Sequence, residues 1–212
     1  MTRSQATALV PIAFILCVLG WPAVTQAADP ATASWTLAPK ESTLNFVARQ
    51  EGQDVEGGFA SFGGSIVFDP AKLDQAKIDM TIDVTSVTSS YDEIPATLKG
   101  SDWFDTTKFP KAQFVATKIR IDGQVSPQAP LKTNYIADGT LTLRSVSVPV
   151  SVAFHFDSYG PKSGQPEVLR AVAKGKATLS RTAFGVGQGE WKSTKSVADP
   201  VQVDFILTAE RR

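Results

Sequence analysis

Apolar and polar residues alternate along most of the chain, which predicts strands that bury one face. Ile78, Met80, Ile82 and Val84 occupy the even positions of one such stretch, and every residue between them is polar. Longer or shorter versions of the same pattern cover residues 146–156, 201–208, 43–49 and 140–144. About eight strands, with turn signals between them and no long amphipathic helix, predict an all-β antiparallel barrel or sandwich.

Several segments depart from strict alternation. The apolar phase changes between residues 114 and 121, which predicts a β-bulge. Residues 92–99 and 180–184 are expected to form short helical turns, and the Gly-, Pro- and Ser-rich stretches 123–130 and 159–166 are expected to be surface loops.

One strand carries a run of very small residues. Ala171, Ala173, Gly175 and Ala177 follow one another on the same phase of the segment 169–179. If this phase faces inward, it either allows two layers to approach closely or leaves a cavity. An eight-stranded barrel has room for its own side chains or for one small ligand, so both alternatives stay open at this point.

The first 27 residues resemble a secretory signal peptide. A short charged start with Arg3 precedes an apolar stretch, and the small residues Thr25 and Ala27 predict a cut between Ala27 and Ala28. The alternative is a membrane anchor, but Pro11 and other breakers leave the stretch short of the roughly 20 apolar residues that a span needs. We therefore expect a signal peptide at 1–27, a short extension at 28–33, one domain at 34–212, and no stable membrane span after cleavage.

The scarcity of cysteine and histidine argues against most catalytic and metal-binding sites. The 212 residues contain one cysteine, Cys17, and one histidine, His155, which argues against a structural zinc site, an iron–sulfur cluster or a disulfide scaffold. Cys17 lies in the predicted signal peptide. A formal net charge of zero argues against a nucleic-acid partner and a polybasic membrane anchor.

The remaining catalytic candidates are few. His155 falls on the polar phase of its strand, which places it on the outer face. Asp102 and Asp105 could be paired carboxylates for acid–base chemistry, or could cap the turn around Trp103 and Phe104. The glycines at 185–189 resemble a phosphate-binding loop only superficially, because no helix is predicted to follow them.

Four stretches together resemble the YceI-like lipid- or polyisoprenoid-binding family of bacterial periplasmic proteins. They are Phe-Asp-Pro at 68–70, Ser-Asp-Trp-Phe-Asp at 101–105 with Lys-Phe-Pro at 108–110, Asp-Gly-Thr-Leu-Thr-Leu at 138–143, and Leu-Ser-Arg-Thr-Ala-Phe-Gly-Val at 179–186. The likeness runs from about Trp35 to Ala209. The histidine–glycine that the family usually has after the Leu-Thr-Leu strand is Arg144-Ser145 here.

The resemblance implies an extended lipocalin-like antiparallel barrel in the periplasm, with no catalytic residue. It implies no cofactor either; an isoprenoid or quinone-type lipid would be the bound molecule, and an amphiphilic lipid the partner. Formation of a homodimer is left open. The strand phases and the resemblance together give these candidate lining residues: Phe46, Phe59, Met80, Ile82, Val84, Phe114, Leu141, Leu143, Val148, Val150, Phe154, Ala173 and Ala177.

Four further candidates come from the matching motifs. Trp103, Phe104 and Phe184 are expected to close one end of the barrel. Arg181 either faces a polar or anionic head group, since a guanidinium forks onto carboxylate or phosphate, or serves as a structural salt bridge or carbonyl clamp.

Three hypotheses on function follow. The leading one is a periplasmic, non-catalytic carrier that buries a long isoprenoid-type or other amphiphilic lipid in the barrel. The second is an enzyme acting on a hydrophobic substrate there, with Asp102, Asp105 or His155 as acid or base. The third, a small outer-membrane barrel, is disfavoured because aromatic residues do not gather at strand ends as such barrels require.

Overall fold

A computed structural model describes residues 34–123 and 130–212 of the chain. The predicted signal peptide, the extension at 28–33 and most of the predicted loop at 123–130 lie outside these residues. Among the described residues no helix is both long enough and apolar enough to cross a membrane.

The described chain forms a single antiparallel sheet with one short helix. The helix, α1, spans Glu93–Lys99 and confirms the helical turn expected at 92–99. The strands are β1 (Ser34–Leu37), β2 (Thr43–Gln50), β3 (Gln53–Phe59), β4 (Phe62–Val67), β5 (Lys77–Asp83), β6 (Val87–Ser89), β7 (Lys111–Asp122), β8 (Asn134–Leu143), β9 (Val146–Lys162), β10 (Gln165–Ser180) and β11 (Pro200–Arg211).

Eight of these strands close into a barrel, as the sequence predicted. Their order is β1-β4-β5-β7-β8-β9-β10-β11, and the pairing of β1 with β11 completes the ring. The other three, β2, β3 and β6, continue the sheet from β11. The barrel is therefore extended at one end by strands that lie outside the ring.

A short turn interrupts the extended chain between β1 and β2, and as a result both strands pair with the same edge of β11. β1 pairs with Ala209 and Glu210, whereas β2 pairs with residues 202–206. A 3₁₀ turn at Pro39–Glu41 separates the two, and the buried Thr208 anchors it. The Thr208 hydroxyl donates to the Glu41 carbonyl (3.0 Å), and the Thr208 N–H donates to the Ser42 hydroxyl (3.0 Å).

Bulges adjust the long strands, and one expected loop is absent. A register shift in β7 between Ala116 and Lys118 confirms the predicted bulge. The loop predicted at 159–166 is wrong, because β9 and β10 extend through this region, with a register shift between Gln165 and Leu169, and turn at residues 163–164. Pro161 is tolerated in β9 because the pairing of β9 with β8 has already ended at His155, which leaves an edge where no N–H is needed.

Two hydrophobic clusters lie at the two ends of the barrel. The first, called here the closed end, is aromatic and is built around Trp35, Phe68, Tyr135, Phe154 and Phe156. The second packs under α1 and contains Phe46, Val87 and Leu98 as its buried members, with Trp103 and Phe104 against them. Ile94 and Leu98 lie one turn apart on α1, so the helix turns one apolar face toward the barrel.

Three inward-facing glycines lie beneath phenylalanine rings of neighbouring strands. A β-carbon at Gly57 would be 2.3 Å from Cζ of Phe46, and one at Gly175 would be 2.3 Å from Cζ of Phe205. At Gly139 it would be 2.8 Å from the ring of Phe114. Each ring therefore lies so close to the backbone that only glycine leaves room for it.

Replacing Gly175 by alanine is expected to destabilise the fold by about 1–3 kcal/mol, because Phe205 must move and the neighbouring Ala153 carbonyl is also only 2.7 Å from the added carbon. The matched control is Gly63→Ala in β4, where an added β-carbon meets nothing within 4 Å. Denaturant unfolding of both variants measures the difference. Equal midpoints for the two would contradict the packing described.

Candidate functional site

The barrel encloses a cavity of about 560 Å³, within the range of small-molecule sites in proteins. Its wall is formed by the inward faces of the ring, by β2 and β3, by α1 and by the segment between β10 and β11. Polar side chains on the wall are confined to Gln50, Glu93, Thr97 and Arg181. The remaining wall is aliphatic or aromatic, so it suits an apolar guest.

Most of the candidate residues from the sequence are on the wall of this cavity. They are Phe46, Phe59, Met80, Ile82, Val84, Trp103, Phe104, Phe114, Leu141, Leu143, Val150, Phe154, Ala173, Ala177, Arg181 and Phe184. Val148 does not line the cavity, so its assignment as a binding residue stays a prediction. It pairs with Leu141, which does line the cavity, and its neighbours Val146 and Ser147 are exposed.

The sequence left open whether the small residues of β10 allow close packing or leave a cavity, and the structure shows both. Ala171, Ala173 and Ala177 lie on the cavity wall. Gly175 instead lies beneath the ring of Phe205, which itself lines the cavity. The strand thus leaves space at three positions and packs closely at the fourth.

Sequence reasoning missed three groups of wall residues. The strand residues among them, such as Phe156 and Phe205, fall on apolar phases and could have been found by extending those phases. Trp191 and Val197 belong to the irregular segment between β10 and β11, where no periodicity marks an inward position. Ile94 and Leu98 carried a helical signal, but the segment was too short for it to stand out.

Aromatic packing blocks the cavity at its closed end. Tyr135 stacks on Phe154 with ring centroids 5.2 Å apart, and Phe156 contacts Phe68 at 5.3 Å. The Trp35 indole donates to the Phe68 carbonyl (2.9 Å), so its polar atom is satisfied within the cluster. Burial raises the pKa of the Tyr135 hydroxyl, which keeps it neutral over the physiological range.

The opposite end, called here the mouth, carries the polar side chains. Glu93 and Thr97 are the exposed members of the described wall, and both lie on α1. Gln50, at the end of β2, is partly buried. A ligand would enter beside α1 and extend from there toward the closed end.

Arg181 holds together the segment that forms one side of the mouth. It is 4% exposed, and its guanidinium donates to backbone carbonyls of the segment. The acceptors are the carbonyls of Ala198, Val186, Gly187, Trp191, Ser193 and Val197, at 2.8–3.3 Å. All its N–H groups are engaged, which favours the carbonyl clamp over the head-group role.

The glycines at 185–189 allow the loop to fold around the Arg181 guanidinium, and this accounts for them without a bound phosphate. Gly185, Gly187 and Gly189 all have positive φ angles, which other residues adopt only with strain. A β-carbon at Gly187 would lie 2.1 Å from Nη1 of Arg181. The loop is glycine-rich because it must bend tightly around the guanidinium.

Asp199 stabilises the same segment from its outer side. Its carboxylate accepts from the Thr182 hydroxyl (2.6 Å) and from the Thr182 N–H (3.0 Å). Desolvation would raise the pKa of Asp199, but these hydrogen bonds, with help from Ser180 and the charge on Arg181, lower it below its ordinary value. Burial in turn lowers the pKa of Arg181, against the opposing effect of Asp199.

The candidate acid–base residues are not on the cavity wall. Asp102 is exposed, and its backbone carbonyl accepts from the N–H groups of Gly187 and Gln188. Asp105 is buried in the turn with a positive φ and forms an ion pair with Lys108 (3.0 Å). His155 is exposed, at an outward position of β9. These placements favour the turn-capping interpretation of the two aspartates.

Comparison with known proteins identifies the fold. A family model described as the YceI-like domain matches residues 35–209, nearly the whole of the described chain. The chain belongs to the YceI-like family. A UPF0312 protein of Shewanella oneidensis is 31% identical over 134 residues, which cover 62% of this chain and 64% of that protein. The chain thus spans less than two thirds of the length of this relative.

Two solved structures of similar fold support this assignment. Burkholderia cenocepacia BcnA is 32% identical, with a TM-score of 0.70 over 81% of this chain and 98% of that one. A polyisoprenoid binding domain from Saccharophagus degradans is 17% identical, with a TM-score of 0.61 over 84% of this chain and 98% of that one. The second likeness concerns the fold alone.

Two of the stretches that carried the family resemblance meet at the mouth of this YceI-like domain, whereas Phe68 of a third lies in the closed end. The turn at 101–105 is joined to Gly187 and Gln188, which directly follow the segment 179–186, by the hydrogen bonds to the Asp102 carbonyl. Arg144 and Ser145, which replace the usual histidine–glycine, form the β8–β9 turn with positive φ angles. The Arg144 guanidinium donates to the Trp103 carbonyl, so this departure also stabilises the mouth.

Substitution of Arg181 by lysine is expected to destabilise this YceI-like domain by about 3 kcal/mol, because one ammonium cannot satisfy the carbonyls that the guanidinium reaches. The control is Arg49→Lys, at an exposed ion pair with Asp54, where little change is expected. Thermal unfolding of both variants checks this. An equally small decrease in melting temperature for both variants would contradict the role of Arg181 as a carbonyl clamp.

Asp199→Asn is expected to lower stability at neutral pH. The lowered pKa means that the stabilisation by the carboxylate is fully present above its unfolded pKa and is lost as pH falls through the folded pKa. The difference in melting temperature between wild type and variant should therefore shrink from about pH 4 downward. A difference that stays constant to low pH would show that the charge is not involved.

Proposed function

We propose that this protein is a non-catalytic carrier that holds a long isoprenoid-type or other amphiphilic lipid inside the barrel. The single observation that carries the proposal is the cavity, which is apolar over most of its length, blocked by aromatic rings at one end and polar at the other. This gradient matches the gradient along an amphiphilic lipid. The polyisoprenoid binding domain from Saccharophagus degradans, with a similar fold, supports the same ligand class.

Affinity in such a site comes from burial. Each methylene transferred from water to the cavity contributes about 0.8 kcal/mol, so a chain of ten or more carbons can bind tightly with few polar contacts. The wall supplies the apolar partners for this transfer, while the closed end sets how far the chain reaches. Specificity for chain type is then expected to be modest, and sensitivity to cavity volume high.

Filling the cavity tests the proposal. Ala173→Leu and Ala177→Leu each add a bulky side chain to the wall of β10 and are expected to weaken binding of a long prenyl chain at least tenfold. The control is Ala153→Leu, which adds the same volume at an outward position of β9, opposite Lys176. Affinity is measured by displacement of a fluorescent lipid probe, with unfolding midpoints to confirm that each variant is folded.

Equal affinities for the wild type and both wall variants, all folded, would rule out the proposed place of the lipid. Turnover of a prenyl substrate that disappears in Asp102→Asn or Asp105→Asn would instead support the enzyme hypothesis. Because neither carboxylate lies on the cavity wall, no such turnover is expected.

The location of the carrier is part of the proposal. The apolar stretch and small-residue cleavage site at the start of the chain support export to the periplasm. Osmotic shock of the producing bacterium is expected to release the protein, with an N-terminus at Ala28 by mass spectrometry. Recovery with the outer membrane would support the membrane-barrel alternative, and retention in the cytoplasm would contradict export.

A further inference from the structure

Three aromatic side chains form a floor to the cavity at its closed end. Trp35, Phe68 and Phe156 all line the cavity, and all belong to the aromatic cluster. The Phe156 ring lies 5.3 Å from that of Phe68 and 5.3 Å from that of Tyr159, measured between centroids. Tyr135 contacts both Phe68 and Phe156 but does not line the cavity. A guest that reaches this floor therefore meets packed rings.

Contacts on several sides hold the floor in place at Trp35. Its indole N–H donates to the Phe68 carbonyl (2.9 Å), and its ring lies 5.7 Å from that of Tyr159. The guanidinium carbon of Arg211 lies 5.0 Å from the centroid of the Trp35 ring. The backbone is held too, because β1 pairs with a strand on each edge. Since closely packed interiors deform little, the floor does not give way to a longer guest.

Residues of β10 mark different depths along the cavity. Ala171 pairs with Ala209, and both are buried in the cluster of the closed end. Ala177 pairs with Val203, which packs against the cluster beneath α1. Ala171 and Ala177 both line the cavity, and six residues of strand place them about 20 Å apart along β10. The cavity is therefore long enough for depth to distinguish one ligand from another.

The polar end of a ligand is expected to stay at the mouth. The polar side chains of the described wall are Gln50, Glu93, Thr97 and Arg181, and they lie at that end. Burying a hydroxyl among apolar side chains without a hydrogen-bond partner is costly. An amphiphile therefore enters with its chain directed toward the floor, and the depth that it reaches depends on the length of the chain.

We propose that Trp35, Phe68 and Phe156 are specificity-determining residues that make the site select its ligand by chain length. A chain that spans the cavity from the mouth to the floor fills the whole apolar wall. A shorter chain leaves the deep wall unfilled, and the surplus of a longer chain stays outside the barrel. This inference rests on the proposed function and adds the property of the ligand that the site measures.

A series of all-trans prenyl alcohols with two to ten isoprene units tests the inference in the wild type. Each alcohol displaces a fluorescent lipid probe from the purified protein. Affinity is expected to rise about tenfold or more with each added unit, because every unit buries several methylene equivalents, and then to stop rising at one length. A rise that continues through ten units, or an affinity independent of length, would overturn the inference.

Ala171→Val and Ala177→Val form a matched pair, because they add the same two methyl groups to one face of β10 at different depths. Ala171→Val is expected to weaken binding about tenfold for chains that reach the floor and to leave the two-unit alcohol unaffected. Ala177→Val is expected to weaken binding at every length. Unfolding midpoints show that both variants are folded. No loss in the Ala171→Val protein, or an equal loss at every length, would contradict the inference.

A measurement on the unmodified protein covers the case in which Ala171→Val does not fold. In a nitrogen–proton correlation spectrum, the indole signal of Trp35 is expected to move with alcohols long enough to reach the floor and to stay in place with the two-unit alcohol. Equal shifts with short and long alcohols would overturn the inference. If none of the alcohols displaces the probe, the proposed function fails and this inference fails with it, whereas binding without length dependence overturns the inference alone.

Discussion

β1 is only four residues long, yet it pairs with β4 along one edge and with β11 along the other, and this closes the ring of eight strands. Every other property of the molecule depends on that closure. A closed ring gives each of its strands a neighbour on both sides, and a ring of eight sets an interior with room for side chains or one small ligand. The turn at Pro39–Glu41, which is hydrogen-bonded to Thr208, directly follows β1 and directs the chain out of the ring into β2.

Part of the barrel interior is filled by packed side chains, and the rest is the cavity. At the closed end, large aromatic rings contact one another and leave no passage. Along the middle, Ala171, Ala173 and Ala177 replace large residues on one wall, while phenylalanines lie over glycines elsewhere. The same alternating pattern therefore builds both the core that stabilises the barrel and the cavity that the proposed ligand would occupy.

Much of this could be predicted from the residues. Period-two alternation identified the strands and their inward faces, because a strand with one buried face has few other ways to be stable. Val148 falls on the same inward phase and pairs with Leu141, yet only Leu141 lines the cavity, because phase alone does not decide which inward residues reach the open space. The loop expected at 159–166 was wrong because glycine and proline mark an unpaired strand edge as readily as a loop.

The mouth was the least predictable part. Trp191 and Val197 reach the cavity from an irregular segment whose shape depends on six carbonyl contacts to Arg181, and such contacts leave no periodic trace in a sequence. The family resemblance located Arg181 without deciding between a head-group contact and a clamp. Only the position of its guanidinium among backbone carbonyls distinguishes the two.

The most direct test of the account is to extract the protein, purified from its native host without detergent, with organic solvent and to identify what is released by mass spectrometry. We expect one dominant long-chain isoprenoid-type or other amphiphilic lipid, in an amount close to one per protein, and far less of it from a folded Ala173→Leu, Ala177→Leu double variant. Release of no lipid above background, or of equal amounts from both proteins, would contradict the claim that the barrel holds its ligand in this cavity.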